Sequence, residues 1–301
     1  MARGAPALLL VLLAAACGAP PGTPQVPPPP TPSPAPEDDE EPPDPPGLPY
    51  PAPGEDPDFP AKEPSRPGDW LATFPEAGQS AAEHRAECRN RTTPQRRTIV
   101  IQPLGRLSED RGPLLEKVRA FAEAWFGLDA RIAQPLDPPR STWNPERRQR
   151  DGDAILRHLE NRVPPGALAF VGLCEEDLWS GRLNFVFGVA SLRSRTGLYS
   201  LARYGGGGDA LFLRRTLKVF AHETGHILGM EHCVRYECVM NGSNSLGETD
   251  RQPSFACPEC QEKLRWNGGF DPRARWAALA GFYESVGLVE EAAFARRRAE
   301  R

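Results

Sequence analysis

The chain has 301 residues, enough for one large domain or two small ones. Its 36 Lys and Arg stand against 40 Asp and Glu, a formal net charge of −4, which gives no electrostatic case for nucleic-acid binding. The 35 prolines are crowded towards the amino terminus, so composition divides the chain before any motif does.

Residues 1–18 read as a signal peptide, with Arg3 as the positive start and an apolar run from Ala5 to Ala16. That run, as a helix, reaches only about 18 Å, short of the roughly 30 Å core of a bilayer, so a permanent membrane span is not expected. It ends Leu13-Ala-Ala-Ala-Cys17-Gly18, similar to a bacterial lipobox with Ala14 in place of a larger aliphatic residue. Two outcomes follow. Lipidation of Cys17 gives an exported protein tethered to the membrane of a bacterial cell envelope; ordinary cleavage near Ala16 gives a secreted or periplasmic one. From 19 to 67, proline density and the acidic run Glu37–Glu41 predict a disordered tether.

Residues 68–96 are transitional, with a short helix expected over 81–89. The globular part starts at Arg97. Ile99, Val100 and Ile101 make a strand that Pro103 ends. Leu114, Leu115, Val118, Phe121, Ala122 and Trp125 fall at helical spacing within 110–126. A second strand is expected at 131–136, a helix carrying His158 at 145–162 and a buried strand at 167–174. Strands at 183–190 and 197–204 follow, joined by a tight turn. A glycine-rich loop, 205–208, leads into a helix with apolar positions from Leu211 to Ala221. The end of the chain, 271–301, reads as two helices broken at Gly287 and packed on the domain.

Three of the five histidines and four of the seven cysteines lie between Ala221 and Cys260. His222 and His226 are one helical turn apart and project from one face. Gly229 lets the chain leave the helix with positive φ, so that His232 returns as a third ligand. Three neutral imidazoles with an open fourth position make a catalytic zinc site, in which Glu223 is placed as general base. The second group, Cys233, Cys238, Cys257 and Cys260, has the spacing of a structural zinc site; two disulfides are the other reading, and export permits them. Cys174 reads as a buried thiol, with a Cys88–Cys174 disulfide as its alternative. His84 and His158 have no partner at ligand spacing.

The string H-E-x-x-H-x-x-G-x-x-H resembles the metzincin clan of metallopeptidases. With Cys233, Cys238-Val-Met240 and Cys257-x-x-Cys260 it resembles the archaemetzincins, as do Ile101–Gly105, Asn144-Pro145, Asn184–Gly188 and Asn241–Ser245. The resemblance runs from about Thr98 to the carboxyl terminus. It implies an α/β (α+β) metzincin-like domain over 97–270: a mixed twisted sheet, an active-site helix, and a Met-turn with Met240 beneath the metal. It favours zinc over disulfides at the four cysteines, hence two Zn2+ per chain. It also implies that Asn184, Phe185, Val186, Phe187 and Gly188 form an edge strand that binds peptide or protein substrate. Tyr236 is the one candidate for a second oxyanion donor, against an exposed ring with no role. The function expected is zinc-dependent peptide hydrolysis through a water activated by Glu223. The alternatives are a non-catalytic, zinc-scaffolded peptide-binding module, which has no use for Glu223, and a structural envelope protein.

Overall fold

The computed structural model describes residues 44–109 and 111–301; the signal segment and Cys17 lie outside them. In chain order, α1 (Trp70–Thr73) and α2 (Ala81–Glu87) precede β1 (Thr98–Pro103), α3 (Arg111–Phe126) and β2 (Asp129–Ile132). Short strands β3 (Trp143–Asn144) and β4 (Gln149–Asp151) lead into α4 (Gly152–Glu160), β5 (Ala167–Cys174), β6 (Leu178–Trp179), β7 (Gly188–Ala190) and β8 (Thr196–Ser200). The remainder is helical: α5 (Gly208–Ile227), α6 (Leu246–Arg251), α7 (Pro258–Gly268), α8 (Pro272–Ser285) and α9 (Val289–Ala299).

The main sheet runs β2-β1-β5-β8-β7, with the first four strands parallel and β7 antiparallel at the edge. β5 is buried at every residue, which its unbroken apolar sequence allows, because helices cover both faces of a parallel sheet. Alternation along β1 sorts the side chains. Ile99 and Ile101 join the core under α3, α5 and α8, and Val100 joins the core under α4. A small second sheet, β3-β4-β6, lies outside the main one. Among the described residues no helix is long and apolar enough to cross a membrane.

Several elements differ from expectation. The helix predicted from Pro145 starts at Gly152. Asn144 accepts from the amides of Glu146 and Arg147 in a turn, Arg148 takes a left-handed φ of 53°, and Asp151 caps the helix at the Ala154 amide. The strand predicted over 183–190 narrows to β7, with Val186 forming only an isolated bridge to Leu178. The second strand starts earlier, at Asp129, and stops before Pro135, which has no N–H to pair. Helices α6 and α7 carried no clear apolar period; Ser245 and Cys257 cap them at the Glu248 and Cys260 amides.

The tether expected through Pro67 is, over 44–67, laid along the domain. The Leu48 amide and the Tyr50 hydroxyl donate to Glu262 and Glu259 at 3.2 and 3.0 Å. Phe59 is buried edge-on to Phe294, and Lys62 and Glu237 exchange backbone hydrogen bonds with Arg235 and Pro60. Apart from turn bonds such as Glu55 to Ala52 and Phe59 to Asp56, the proline-rich segment leaves its carbonyls and rings available to a partner surface. The Cys88–Cys174 disulfide does not form: Cys88 donates to the Leu228 carbonyl at 3.1 Å, and Cys174 to the Glu176 carbonyl at 3.4 Å.

Candidate metal centre

α5 runs under the sheet from the glycine loop and is buried through most of its last three turns. His222 and His226 sit on its final turns with their Nε2 atoms 3.0 Å apart. The helix stops at Leu228, and Gly229 takes φ +80°. A Cβ at Gly229 would lie 2.6 Å from Cys88 Sγ, so both its conformation and its contact require glycine. The turn returns His232 to 5.2 Å from the His222 ring and 4.9 Å from the His226 ring, centroid to centroid, and those two are 4.6 Å apart. The candidate ligand atoms of the three lie within 4.8 Å of one another.

Each ring is held by its far nitrogen. His222 Nδ1 meets the Val239 carbonyl at 2.9 Å, and His226 Nδ1 meets the Met230 carbonyl at 2.6 Å. His232 Nδ1 meets both oxygens of Glu76, at 3.0 and 2.9 Å. All of these partners are acceptors, so every Nδ1 must donate. In the neutral tautomer every Nε2 then carries a lone pair. Burial pushes His222 down to about 3 and His226 well below the ordinary histidine range, which keeps both rings neutral. Lone pairs that converge this closely repel one another unless a cation lies between them. The donor set therefore fits zinc, and the outward Nδ1 bonds are those that orient zinc-ligating histidines.

Glu223 lies beside them, its carboxyl pushed up to about 8 by burial. It packs on the edge strand: a Cβ at Gly188 would come within 2.5 Å of its carboxyl carbon. Of the five edge residues predicted to bind substrate, Phe187 and Gly188 line the cavity beside Glu223, and only Gly188 is in β7. The other three face elsewhere. The Asn184 carbonyl accepts from Arg147 and Gln149, Phe185 lies under the Arg203 guanidinium, and Val186 is buried in the core under α4. Met240 is buried, with its sulfur against Gly225 between the two helix histidines; a Cβ there would lie 2.5 Å from it.

The four cysteines are gathered as predicted. Their sulfurs lie within 4.8 Å of one another, with Cys233 and Cys257 3.8 Å apart. Zn–S bonds of about 2.3 Å place tetrahedral sulfurs about 3.8 Å apart, whereas a disulfide needs about 2.05 Å. Amides of Met240 and Cys257 donate to Cys238 Sγ, and that of Cys260 to Cys257 Sγ, interactions that favour thiolates. The Asn241 carboxamide ties the loop by donating to the Cys233 and Tyr236 carbonyls and accepting from the Cys238 amide. Tyr236 is buried and donates to the Pro51 carbonyl at 2.7 Å, so it holds the amino-terminal segment and supplies no oxyanion donor.

Glu76 and Trp70, whose ring lies edge-on to His232 at 5.2 Å, carried no signal in the sequence. They reach the site from about 150 residues away, outside any motif.

Residues 161–266 match peptidase family M54. Archaemetzincin-2 of Rattus norvegicus is 30% identical over 275 residues, 77% of this chain and 77% of its own length. The archaemetzincin of Thermococcus kodakarensis is 37% identical over 183 residues, 57% of this chain and 97% of its own. The crystal structure of archaemetzincin from Methanopyrus kandleri matches with a TM-score of 0.52 at 28% identity, over 57% of this chain and 95% of that one.

Proposed function

The chain belongs to the archaemetzincin family and is a zinc metallopeptidase; from that premise we propose that His222, His226 and His232 hold the catalytic ion through Nε2 and that Glu223 is the general base. The convergence of three Nε2 lone pairs beside one buried carboxylate carries the reading. Zinc bound there supplies Lewis acidity to the attacking water and to the scissile carbonyl. Glu223 takes the proton of that water and delivers it to the leaving amine. A cation held by the three histidines would offset the burial that otherwise favours the neutral form of Glu223. β7 pairs on one side only within the main sheet, so its backbone is placed to receive an extended peptide next to Gly188. Met240 serves as the floor beneath the histidines. Cys233, Cys238, Cys257 and Cys260 hold a second, structural zinc, and Cys233 adjoins His232, so that site braces the loop of the third ligand.

Export and lipid anchoring at Cys17 are the corresponding proposal for location, supported by the apolar run and the cysteine after it. Cys17→Ser should abolish detergent partitioning of the mature protein, and unchanged partitioning would exclude the anchor. The enzymatic reading is tested by incubating the zinc-loaded protein with a peptide library and reading new peptide ends. Cleavage should stop with a chelator and return with zinc; zinc-dependent peptide binding without cleavage would instead favour the scaffold reading.

A further inference from the structure

Lys218 lies on α5 one turn before His222, on the same helix face, and lines the cavity that Glu223, His222 and Gly188 open onto. It is only 4% exposed. Its ammonium donates to the carbonyls of Thr249 and Gln252, at the carboxyl end of α6. Both acceptors are neutral. No carboxylate lies within ion-pair distance of it among the described residues. The two acids that act on it from further away are already committed, Asp250 to Arg215 and Glu291 to Arg214. Burial lowers Lys218 to about 8, so it is still mostly charged at neutral pH.

A buried cation without a counter-charge is costly unless something pairs with it. Two of its three protons are used, which leaves one for a further acceptor. The other polar groups of the cavity floor do not compete for that role. The Ser243 and Thr249 hydroxyls lie within hydrogen-bond distance of each other and of the Ser245 carbonyl, so their two protons are taken up among themselves, and the Gln252 carboxamide donates to the Gly242 carbonyl. The walls are apolar, formed by Phe187, Val219 and Val239. The cavity has about 40 Å³ open to water. That is room for roughly three waters, about the size of a carboxyl-bearing side-chain tip.

We propose that Lys218 is a specificity-determining residue: the cavity takes a substrate side chain next to the scissile bond, and Lys218 gives it a preference for aspartate or glutamate there. The assignment rests on the peptidase reading and adds its substrate class. A carboxylate entering the cavity supplies the missing counter-charge and a charge-assisted hydrogen bond, while the apolar walls cover its methylenes. A neutral side chain leaves the ammonium as it is and forgoes that bond.

The test uses the zinc-loaded protein and two peptide hydroxamates that differ only in the side chain flanking the zinc-binding group, aspartyl in one and leucyl in the other. Binding is read by calorimetry, so no cleavage assay is needed. The wild type should bind the acidic ligand roughly 10- to 100-fold more tightly, the worth of a hydrogen bond to a charged group. Lys218→Met, with zinc content checked, should lose that advantage, and Lys218→Arg should keep most of it. Equal binding of the two by wild type, or a preference for leucyl, overturns the assignment and leaves the peptidase reading standing. Failure of both to bind the zinc-loaded protein overturns the two together. Because the wild-type comparison decides the matter alone, a Lys218→Met chain that fails to fold does not rescue the proposal.

Discussion

Glu76 holds His232 from behind, with both carboxylate oxygens within 3.0 Å of Nδ1. His222 and His226 are fixed by the helix that carries them, but His232 stands on a loop after Gly229 and needs an outside partner. A carboxylate accepting Nδ1–H fixes the ring and makes Nε2 a stronger donor to a metal. Glu76→Ala should weaken zinc binding by about 10- to 100-fold, measured by competition with a chromogenic chelator. Glu76→Gln keeps an acceptor but not the charge, and should fall between. Wild-type affinity in Glu76→Ala would mean that the loop alone positions the ring.

The base and the ligands should separate cleanly. Glu223→Gln preserves size, cannot take a proton, and should keep the catalytic zinc while lowering kcat/KM by about 10²–10⁴-fold. His226→Ala should lose that zinc and the activity together. Metal content by mass spectrometry, read beside peptide cleavage, distinguishes them. A Glu223→Gln protein that cuts as fast as wild type would remove Glu223 from the mechanism.

The cysteine cluster makes a metal-removal prediction. Under reducing conditions the chain should carry two zinc ions, and Cys257→Ser with Cys260→Ser should carry one. The double variant should also unfold at a lower temperature, because structural zinc contributes folding free energy directly. All four sulfurs are buried, so alkylation of the native protein should be slow and should speed up on chelation. One zinc in the wild type, with thiols that react only after reduction, would indicate disulfides instead.

What was legible in the sequence was local. The His222–His232 string and the four cysteines are ligand types at fixed spacing, and helix geometry with one glycine turn converts that spacing into convergence. β1 and α3 were readable because their apolar residues follow the period of their element. The misses are tertiary. Gly188 belongs to β7 but Phe185 and Val186 do not, and whether an extended segment pairs depends on the distant strand β8. Glu76 touches His232 only because the proline-rich segment before it docks on Arg235 and Glu259, and no period or motif encodes that docking. Lys218 sat in an apolar run as an ordinary charged residue until the fold closed α6 over it.

The turn that delivers His232 also gives the protein a pH-sensitive point. His84 is fully buried, with Nε2 2.9 Å from Asn267 Oδ1 and Nδ1 3.3 Å from the Gly229 carbonyl. Burial, aided by the charge of Lys263, lowers it from 6.5 to about 4 against the pull of those two acceptors. Its folded pKa thus lies below its unfolded one, and between about pH 6.5 and pH 4 the unfolded chain binds a proton that the folded chain does not. Stability from His84 is therefore complete above pH 6.5 and is lost on acidification, by about 3 kcal/mol over that window. His84→Gln keeps a donor for Gly229 and cannot titrate. Denaturant unfolding of the zinc-loaded proteins at pH 7 and pH 4.5 should show wild type losing more stability than His84→Gln, by roughly 2–3 kcal/mol. Taking the difference between the two proteins cancels the protonation of the zinc ligands, which both share. Equal losses would mean that His84 is charged in the folded state, satisfying both acceptors at once.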